Sequence, residues 1–319
     1  MVALDLFTFG ECLLRLTAPE TLRLEQATTL DVHVAGAESN LAIALARLGK
    51  RVAWFSRLPS APHGQLALNF IRQHGVDVSD VQRVSDGRMG LLFLERGVPP
   101  RPTRVWYDRA DSAASKLQPS DLPTARLAES RWLHLTGITP ALSNSCLATC
   151  HAALSCAREH GTKVSFDVNY RSLLWSPQQA RETLTPFCQA ADLVFIAARD
   201  AAVVFEVHGD AIVQAERLQQ LWSGTVVVTD GERGAVGCSP SETVTCAAFP
   251  VQIVERLGAG DAFAAGVLCR LLEESPLSEA LRFGAATAAL KLSIRGDVAL
   301  VTRGEVEALL TGGHAALQR

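Results

Sequence analysis

No apolar run in this sequence reaches the roughly 18 to 20 residues that a membrane-spanning helix needs. The first residues also lack the basic stretch and small-residue cleavage site of a secretory signal, so a cytoplasmic location is expected. Neither sign of charge is in large excess: the formal net charge is -3 over 319 residues, which argues against nucleic acid as a partner. The eight cysteines include no Cys-x-x-Cys pair and mostly lie in apolar segments, so they read as reduced packing residues. Cys146 and Cys150 stand one helical turn apart, yet no histidine follows at ligand spacing, and no metal is expected there. Repeats, low-complexity tracts and interdomain linkers are missing as well. So is Gly-x-Gly-x-x-Gly after the first apolar strand, where Gly10-Glu11-Cys12 stands instead; that speaks against dinucleotide binding.

What the chain does have is apolar residues, 48% of the total, enough for a large buried core. Leu4 to Phe9 alternates and stops at Gly10, Cys12 to Thr17 reads as a second strand, and His33-Val34 ends a third. An apolar helix closed by Gly49 follows, then a strand over Val52 to Phe55 and a helix near Gln65 to Gln73. Gly90 to Leu94 and Thr103 to Tyr107 read as strands joined by a proline-containing loop. Beyond Ser112, short apolar strands alternate with helices: Trp132 to Leu135, Ser143 to His160, Val164 to Val168, Pro177 to Gln189, Leu193 to Ile196, a helical stretch to Leu221, and Val226 to Val228. This is the pattern of a parallel sheet covered on both faces. We expect an α/β main domain, with a small β-rich lobe built from about 11–36 and 88–110. Trp54, Trp106, Trp132, Trp175 and Trp222 sit in or beside apolar segments and read as core or lobe packing.

The chemistry centres on Gly258-Ala259-Gly260-Asp261, which runs directly into an apolar, small-residue helix. A glycine-rich helix start offers free N–H groups and the positive end of the helix dipole, a ready seat for phosphate. A carboxylate placed there repels an anion unless it has a task, and taking the proton from an attacking hydroxyl is a task that fits Asp261. A tight loop with Asp261 as a capping residue remains the plain alternative.

Three more loops stand at strand ends, where ligands collect in such sheets. These are Asn169-Tyr170-Arg171, Thr229-Asp230-Gly231-Glu232-Arg233-Gly234 and Thr136 to Pro140. Arg171 and, from the small lobe, Arg109 form a pair of cations suited to an acidic substrate.

Together with Val34-Ala35-Gly36-Ala37-Glu38-Ser39-Asn40 and Asp167 to Arg171, these motifs resemble the ribokinase-like (PfkB) carbohydrate kinases in order and spacing over nearly the whole chain. The Gly-Ala-Glu-x-Asn form of the first motif, Leu133 to Ser143, and Asp167 to Arg171 most resemble 2-keto-3-deoxygluconate kinases. The resemblance implies a single ribokinase-like domain over 1–319, with a mostly parallel central sheet flanked by helices and the small β-sheet as a lid. It implies ATP and Mg²⁺ as cofactors and phosphorylation of a terminal hydroxyl. Asp261 would be the base, and Gly258, Ala259 and Gly260 the anion hole. Gly36, Asn40, Tyr107, Arg109, Arg171 and Asp297 would contact the sugar acid. Asn169, Tyr170, Arg171, Thr229, Gly231 and Gly234 would border the nucleotide. A homodimer through the lid is implied as well.

The chain departs from that pattern in several places. Ala35-Gly36 replaces two glycines. The stretch before the anion hole is Glu255-Arg256-Leu257, and Arg256 either assists phosphate binding or points away. The Asn-x-x-Glu that serves the metal appears as Ala197-Ala198-Arg199-Asp200, leaving Asp200 as the metal candidate. Leu92 replaces a tyrosine of the lid, and Asp108 sets a carboxylate between Tyr107 and Arg109, against a keto acid. The alternatives are a kinase of a neutral ketose or nucleoside, or a sugar-acid-binding protein that does not catalyse.

Overall fold

The computed structural model describes residues 4–312. Its strands are β1 (Leu4–Phe9), β2 (Leu13–Thr17), β3 (Asp31–Ala35), β4 (Val52–Phe55), β5 (Arg57–Pro59), β6 (Gln82–Val84), β7 (Gly90–Glu95), β8 (Arg104–Asp108), β9 (Ser130–Thr136), β10 (Lys163–Asp167), β11 (Leu193–Ala197), β12 (Thr225–Thr229), β13 (Ala235–Cys238) and β14 (Thr243–Cys246). Its helices are α1 (Ala37–Arg47), α2 (Pro62–Gln73), α3 (Thr124–Ala128), α4 (Thr139–Leu142), α5 (Asn144–His160), α6 (Pro177–Ala190), α7 (Ala198–Phe205), α8 (Ala211–Trp222), α9 (Ala259–Leu271), α10 (Leu277–Leu292) and α11 (Arg303–Leu310).

Eight strands form the main sheet in the order β14-β13-β12-β11-β10-β9-β1-β4. From β12 to β4 every pairing is parallel, while β12, β13 and β14 pair antiparallel at one edge. Its central strands read as unbroken apolar runs because both faces are covered. Leu6, Trp54, Trp132, Phe195 and Val227 pack on one side, in a cluster with residues of α1, α9 and α10. Phe7, Phe55, Leu133, Phe166 and Val194 pack on the other, with residues of α5, α6 and α8.

Two parts of the main sheet's surroundings differ from the sequence reading. The helical stretch expected up to Leu221 is two helices: α7 ends at Glu206 in the left-handed region, and Asp210 restarts α8 by accepting a hydrogen bond from Val213 N at 2.9 Å. The hairpin of β13 and β14 was not expected, because each strand has only four residues: the buried β13 is Ala-Val-Gly-Cys, with a glycine inside it, and β14 is half-exposed.

The small sheet has the order β3-β2-β7-β8, with β2 and β7 parallel. Leu13, Ala35, Leu92 and Leu94 form a cluster with Val105, Tyr107 and Leu257, the residue just before the glycine-rich turn. Pleat alternation sends their neighbours to the opposite face. There the register aligns Val32, Leu16, Phe93 and Trp106 in one row across all four strands. Trp54, Trp132 and Trp222 are buried as expected, but Trp106 is 43% exposed and Val32 50% exposed on this outer row. No helix among the described residues is long and apolar enough to cross a membrane.

Candidate active site

The α9 N-terminus sits where the loops leaving β10, β11 and β12 converge, beside two adjoining cavities. The larger, about 710 Å³, is lined by Thr229, Gly231 and Gly234 after β12 and by an apolar wall that includes Phe249, Val251, Ala285 and Leu292. The smaller, about 270 Å³, is lined by Asp167, Asn169, Tyr170, Arg171, Asp200, Gly258, Gly260 and Asp261, among others. The six residues expected to border the nucleotide therefore divide between the cavities. Thr229 lines both, Gly231 and Gly234 line the larger, and Asn169, Tyr170 and Arg171 line the smaller.

The glycine-rich turn is built for close approach in two different ways. Gly258 has φ +76°, and a Cβ there would come within 1.7 Å of the Asp297 carbonyl oxygen, so only glycine fits. Gly260 has the opposite surroundings, since a Cβ there would meet nothing within 4 Å. The space it leaves faces both cavities, and its three successors carry α9 into the core.

Asp261 is buried in the first turn of α9. Asn40 Nδ2, from the first turns of α1, donates to its Oδ2 at 2.8 Å. Burial pushes the Asp261 carboxyl up, and the Asn40 hydrogen bond and the charges of Arg171 and Lys291 oppose that shift. A poised carboxylate next to free N–H groups can accept a proton while they hold an oxyanion.

Asp167 ends β10, and its carboxyl is raised to about 7, chiefly by burial and then by the negative charge of Asp261. Asp200, in the first turn of α7, is raised by burial too. Among the described residues, no group of three or more His, Cys, Asp or Glu gathers as a ready metal cluster.

On the small-sheet side, Arg109 does not stand free. Its Nε donates to Glu11 Oε2 at 2.7 Å, its Nη2 also meets that oxygen, and its guanidinium lies over the Tyr107 ring at 5.0 Å. The expectation that Asp108 sets its charge against this grip is corrected: alternation along β8 turns Asp108 outward, where its Oδ2 pairs with Arg88 at 2.7 Å. The carboxylate beside Arg109 is Glu11.

Asp297 lies behind the turn. Its Oδ2 is 3.2 Å from the fully buried guanidinium of Arg15, which is also 3.5 Å from Glu255 Oε2. Arg96 donates to the same Glu255 oxygen at 3.0 Å. Burial pushes the Asp297 carboxyl up to about 6 against the pull of Arg15. Lys291, fully buried near the end of α10, donates to the carbonyl oxygens of Glu255 at 3.1 Å and Ile294 at 3.4 Å, and burial lowers its ammonium to about 8. Gly36 starts α1 against the Glu11 carbonyl, which a Cβ would approach to 2.5 Å.

Sequence reasoning gave no role to Glu11, Arg15, Lys291 or the motif residue Glu38. Glu38 is buried over Gly10, and its Oε1 accepts from Thr136 at 2.7 Å and Thr139 at 2.6 Å. This ties α1 to the ends of β1 and β9. The available signal was one charge inside an otherwise apolar or small-residue run: Leu-Leu-Arg-Leu at Arg15, Leu-Lys-Leu at Lys291 and Gly-Ala-Glu-Ser at Glu38.

Comparison with known proteins agrees with this geometry. The chain is 42% identical over 316 residues to a 2-dehydro-3-deoxygalactonokinase of Haloferax volcanii, covering 99% of each chain. It is 32% identical over 323 residues to a 2-dehydro-3-deoxygluconokinase of Bacillus subtilis, covering 99% of this chain and 98% of that one. The crystal structure of a 2-dehydro-3-deoxygluconokinase from Thermotoga maritima superposes with a TM-score of 0.92 at 31% identity, over 97% of this chain and 99% of that chain. Residues 3–302 match the profile of the pfkB family carbohydrate kinases, and the chain, with its glycine-rich turn at the junction of two cavities and Asp261 buried beside the smaller one, belongs to that family.

Proposed function

We propose that this protein is an ATP-dependent sugar-acid kinase that phosphorylates the terminal hydroxyl of 2-dehydro-3-deoxygluconate (2-keto-3-deoxygluconate) or its galacto epimer. The observation that carries this reading is Asp261: a buried carboxylate, oriented by Asn40, in the first turn of α9 beside the small cavity. The nucleoside occupies the larger cavity against its apolar wall, and the acceptor's hydroxyl reaches Asp261 in the smaller one. As the oxygen attacks the γ-phosphorus, its proton passes to the Asp261 carboxylate, and the N–H groups of Gly258 and Gly260, with that of Ala259 once it leaves the Arg256 carbonyl 3.3 Å away, face the charge on the transferred group. Arg171, exposed at the rim of the small cavity, is placed to meet the acceptor's carboxylate.

A divalent cation fits the donors present. Asp167 and Asp200 are oxygen ligands in a cavity whose carboxyls are held up by burial, with Asp167 also raised by the other two charges. Together they would hold Mg²⁺, which would neutralise charge on the nucleotide's phosphates. The outer row of the small sheet, Val32, Leu16, Phe93 and Trp106, supports pairing of two copies through the lid.

The Glu11–Arg109 pair favours one second reading. It cancels a charge that a sugar acid could use, so a neutral ketose is the other candidate acceptor. Coupled ADP release with Mg²⁺ and ATP tests both against the two 2-dehydro-3-deoxy acids, gluconate, fructose, ribose and adenosine. Turnover confined to the keto acids is expected, with a loss of about a hundredfold or more in Asp261→Asn. Near-wild-type turnover in that variant would overturn the assignment of the base, and turnover on fructose alone would select the second reading.

A further inference from the structure

The path from nucleoside to acceptor crosses the residues that line both cavities: Thr229, Arg256, Gly260 and Phe263. Arg256 is the charged member of that set. Its main chain is fixed: Val254 N and Glu255 N donate to Leu292 O at 2.8 and 3.1 Å, Ala259 N donates to Arg256 O at 3.3 Å, and Lys291 holds the Glu255 carbonyl. Its side chain is not fixed in the same way. The guanidinium is 70% exposed and reaches Glu232 Oε1 at 3.5 Å, on a carboxylate 84% exposed at the mouth of the larger cavity. An ion pair so open to solvent contributes little and is readily exchanged for a better anion.

The smaller cavity supplies the reason for an exchange. Asp167, Asp200 and Asp261 bring three carboxyls to it, against the guanidinium of Arg171 and, at the junction, that of Arg256, so a polyphosphate entering from the larger cavity meets repulsion unless cations stand along its path. At position 197, an alanine offers no polar group to that path.

We propose that Arg256 leaves Glu232 on nucleotide binding and grips the β- and γ-phosphates across the junction, a role that rests on the kinase reading above. In the transfer step the acceptor oxygen forms a bond to the γ-phosphorus and the bond from that phosphorus to the β,γ-bridging oxygen breaks. The electron pair of that bond leaves with ADP, and the acceptor's proton goes to Asp261. Arg256 faces the bridging oxygen as its charge grows, and the guanidinium's paired N–H groups suit two phosphate oxygens at once.

The test compares wild type, Arg256→Ala and Arg256→Lys by calorimetric binding of AMP, ADP and ATP with Mg²⁺, together with turnover on the two 2-dehydro-3-deoxy acids. The side chain is exposed, so melting temperatures are expected to match. In Arg256→Ala, ATP affinity and kcat are each expected to fall by about tenfold or more while AMP affinity stays within about twofold, and Arg256→Lys is expected to recover part of the ATP affinity. Equal weakening of AMP and ATP, or ATP binding and kcat like wild type, would overturn the proposal. Wild-type turnover with an unaffected Arg256→Ala would remove Arg256 alone and leave the kinase reading intact. A wild type that prefers ATP to AMP through Arg256, yet phosphorylates no acceptor, would keep the phosphate contact and remove the kinase reading.

Discussion

Arg109→Met is expected to destabilise the protein more than the loss of an arginine at the rim of a site normally does. Glu11 is 2% exposed and Arg109 is 9% exposed, and the pair is joined through one carboxylate oxygen, Glu11 Oε2. The other oxygen, Oε1, has no hydrogen-bond partner, and Gly90 packs against it so closely that a Cβ there would lie 2.7 Å away. Removing the guanidinium therefore strands a buried carboxylate without its counter-ion, which costs about 3–5 kcal/mol, or a fall in melting temperature of roughly 5–10 °C for a chain of this length. Glu11→Gln in the same background removes the stranded charge and is expected to restore at least half of the loss, because breaking a buried pair costs far more than replacing both partners. Urea denaturation of the two single variants and the double variant gives the coupling as a double-mutant cycle, expected to be roughly 1.5 kcal/mol or more. Additivity within about 0.5 kcal/mol would refute the reasoning and make Arg109 an independent surface cation. The Glu11→Gln single variant adds a functional readout: it frees the charge of Arg109, so KM for an acidic acceptor is expected to fall.

Gly258→Ala forces a side chain into a positive φ and against the Asp297 carbonyl, so both folding and activity are expected to suffer. Gly260→Ala meets nothing and is expected to melt no lower than wild type while losing nucleotide turnover; equal melting losses in the two variants would refute the distinction. Asp167 keeps a proton near pH 7 that the unfolded chain has released above about pH 4, so its contribution makes stability fall as pH rises through that window. Asp167→Asn is expected to flatten the slope by roughly 1–3 kcal/mol, read as melting temperature at pH 5 and pH 8, and an unchanged slope would contradict it. Trp106→Glu on the outer row of the small sheet is expected to convert a dimer into a folded monomer by light scattering, whereas a monomeric wild type would remove the dimer proposal.

Much of this fold was legible because the governing patterns are local. Apolar runs stopped by Gly10 and Gly49 give β1 and α1 within a residue or two of their observed ends, and the helix read over Ser143 to His160 is α5. The glycine-rich turn is legible for the same reason, since Gly258 and Gly260 are called for by φ and by free space within one short segment. What could not be read is pairing between distant parts of the chain. Asp108 looks like the intruder beside Arg109 in sequence, but the strand's alternation removes it, and Glu11, 98 residues away, takes the place. Asp297 reads as a substrate contact, yet its carboxylate is engaged with Arg15 from the small sheet. The β13–β14 hairpin was missed because its strands are four residues each: β13, though fully buried, is broken by a glycine, and the alternation of β14 is too short to detect.

The buried charges have a common location. Glu11, Arg15, Glu38, Arg109, Glu255, Asp261, Lys291 and Asp297 are all nearly inaccessible, and the contacts of Arg15, Asn40, Glu38 and Lys291 tie the small sheet, α1, α9 and α10 together around the glycine-rich turn. Apolar residues of the same size would stabilise such a junction at least as well, because each buried ion loses its hydration. Their presence is therefore better explained by positioning. Lys291 fixes the Glu255 carbonyl three residues before Gly258, Asn40 fixes the carboxylate of Asp261, and the Asp297 backbone lies so close behind Gly258 that no side chain fits there. Groups held in this way need no reorganisation when charge develops on a transferring phosphoryl group, and preorganisation is what makes hydrogen-bond donors effective in a transition state. The stability lost to buried charge and the rigidity of the turn are two results of one arrangement.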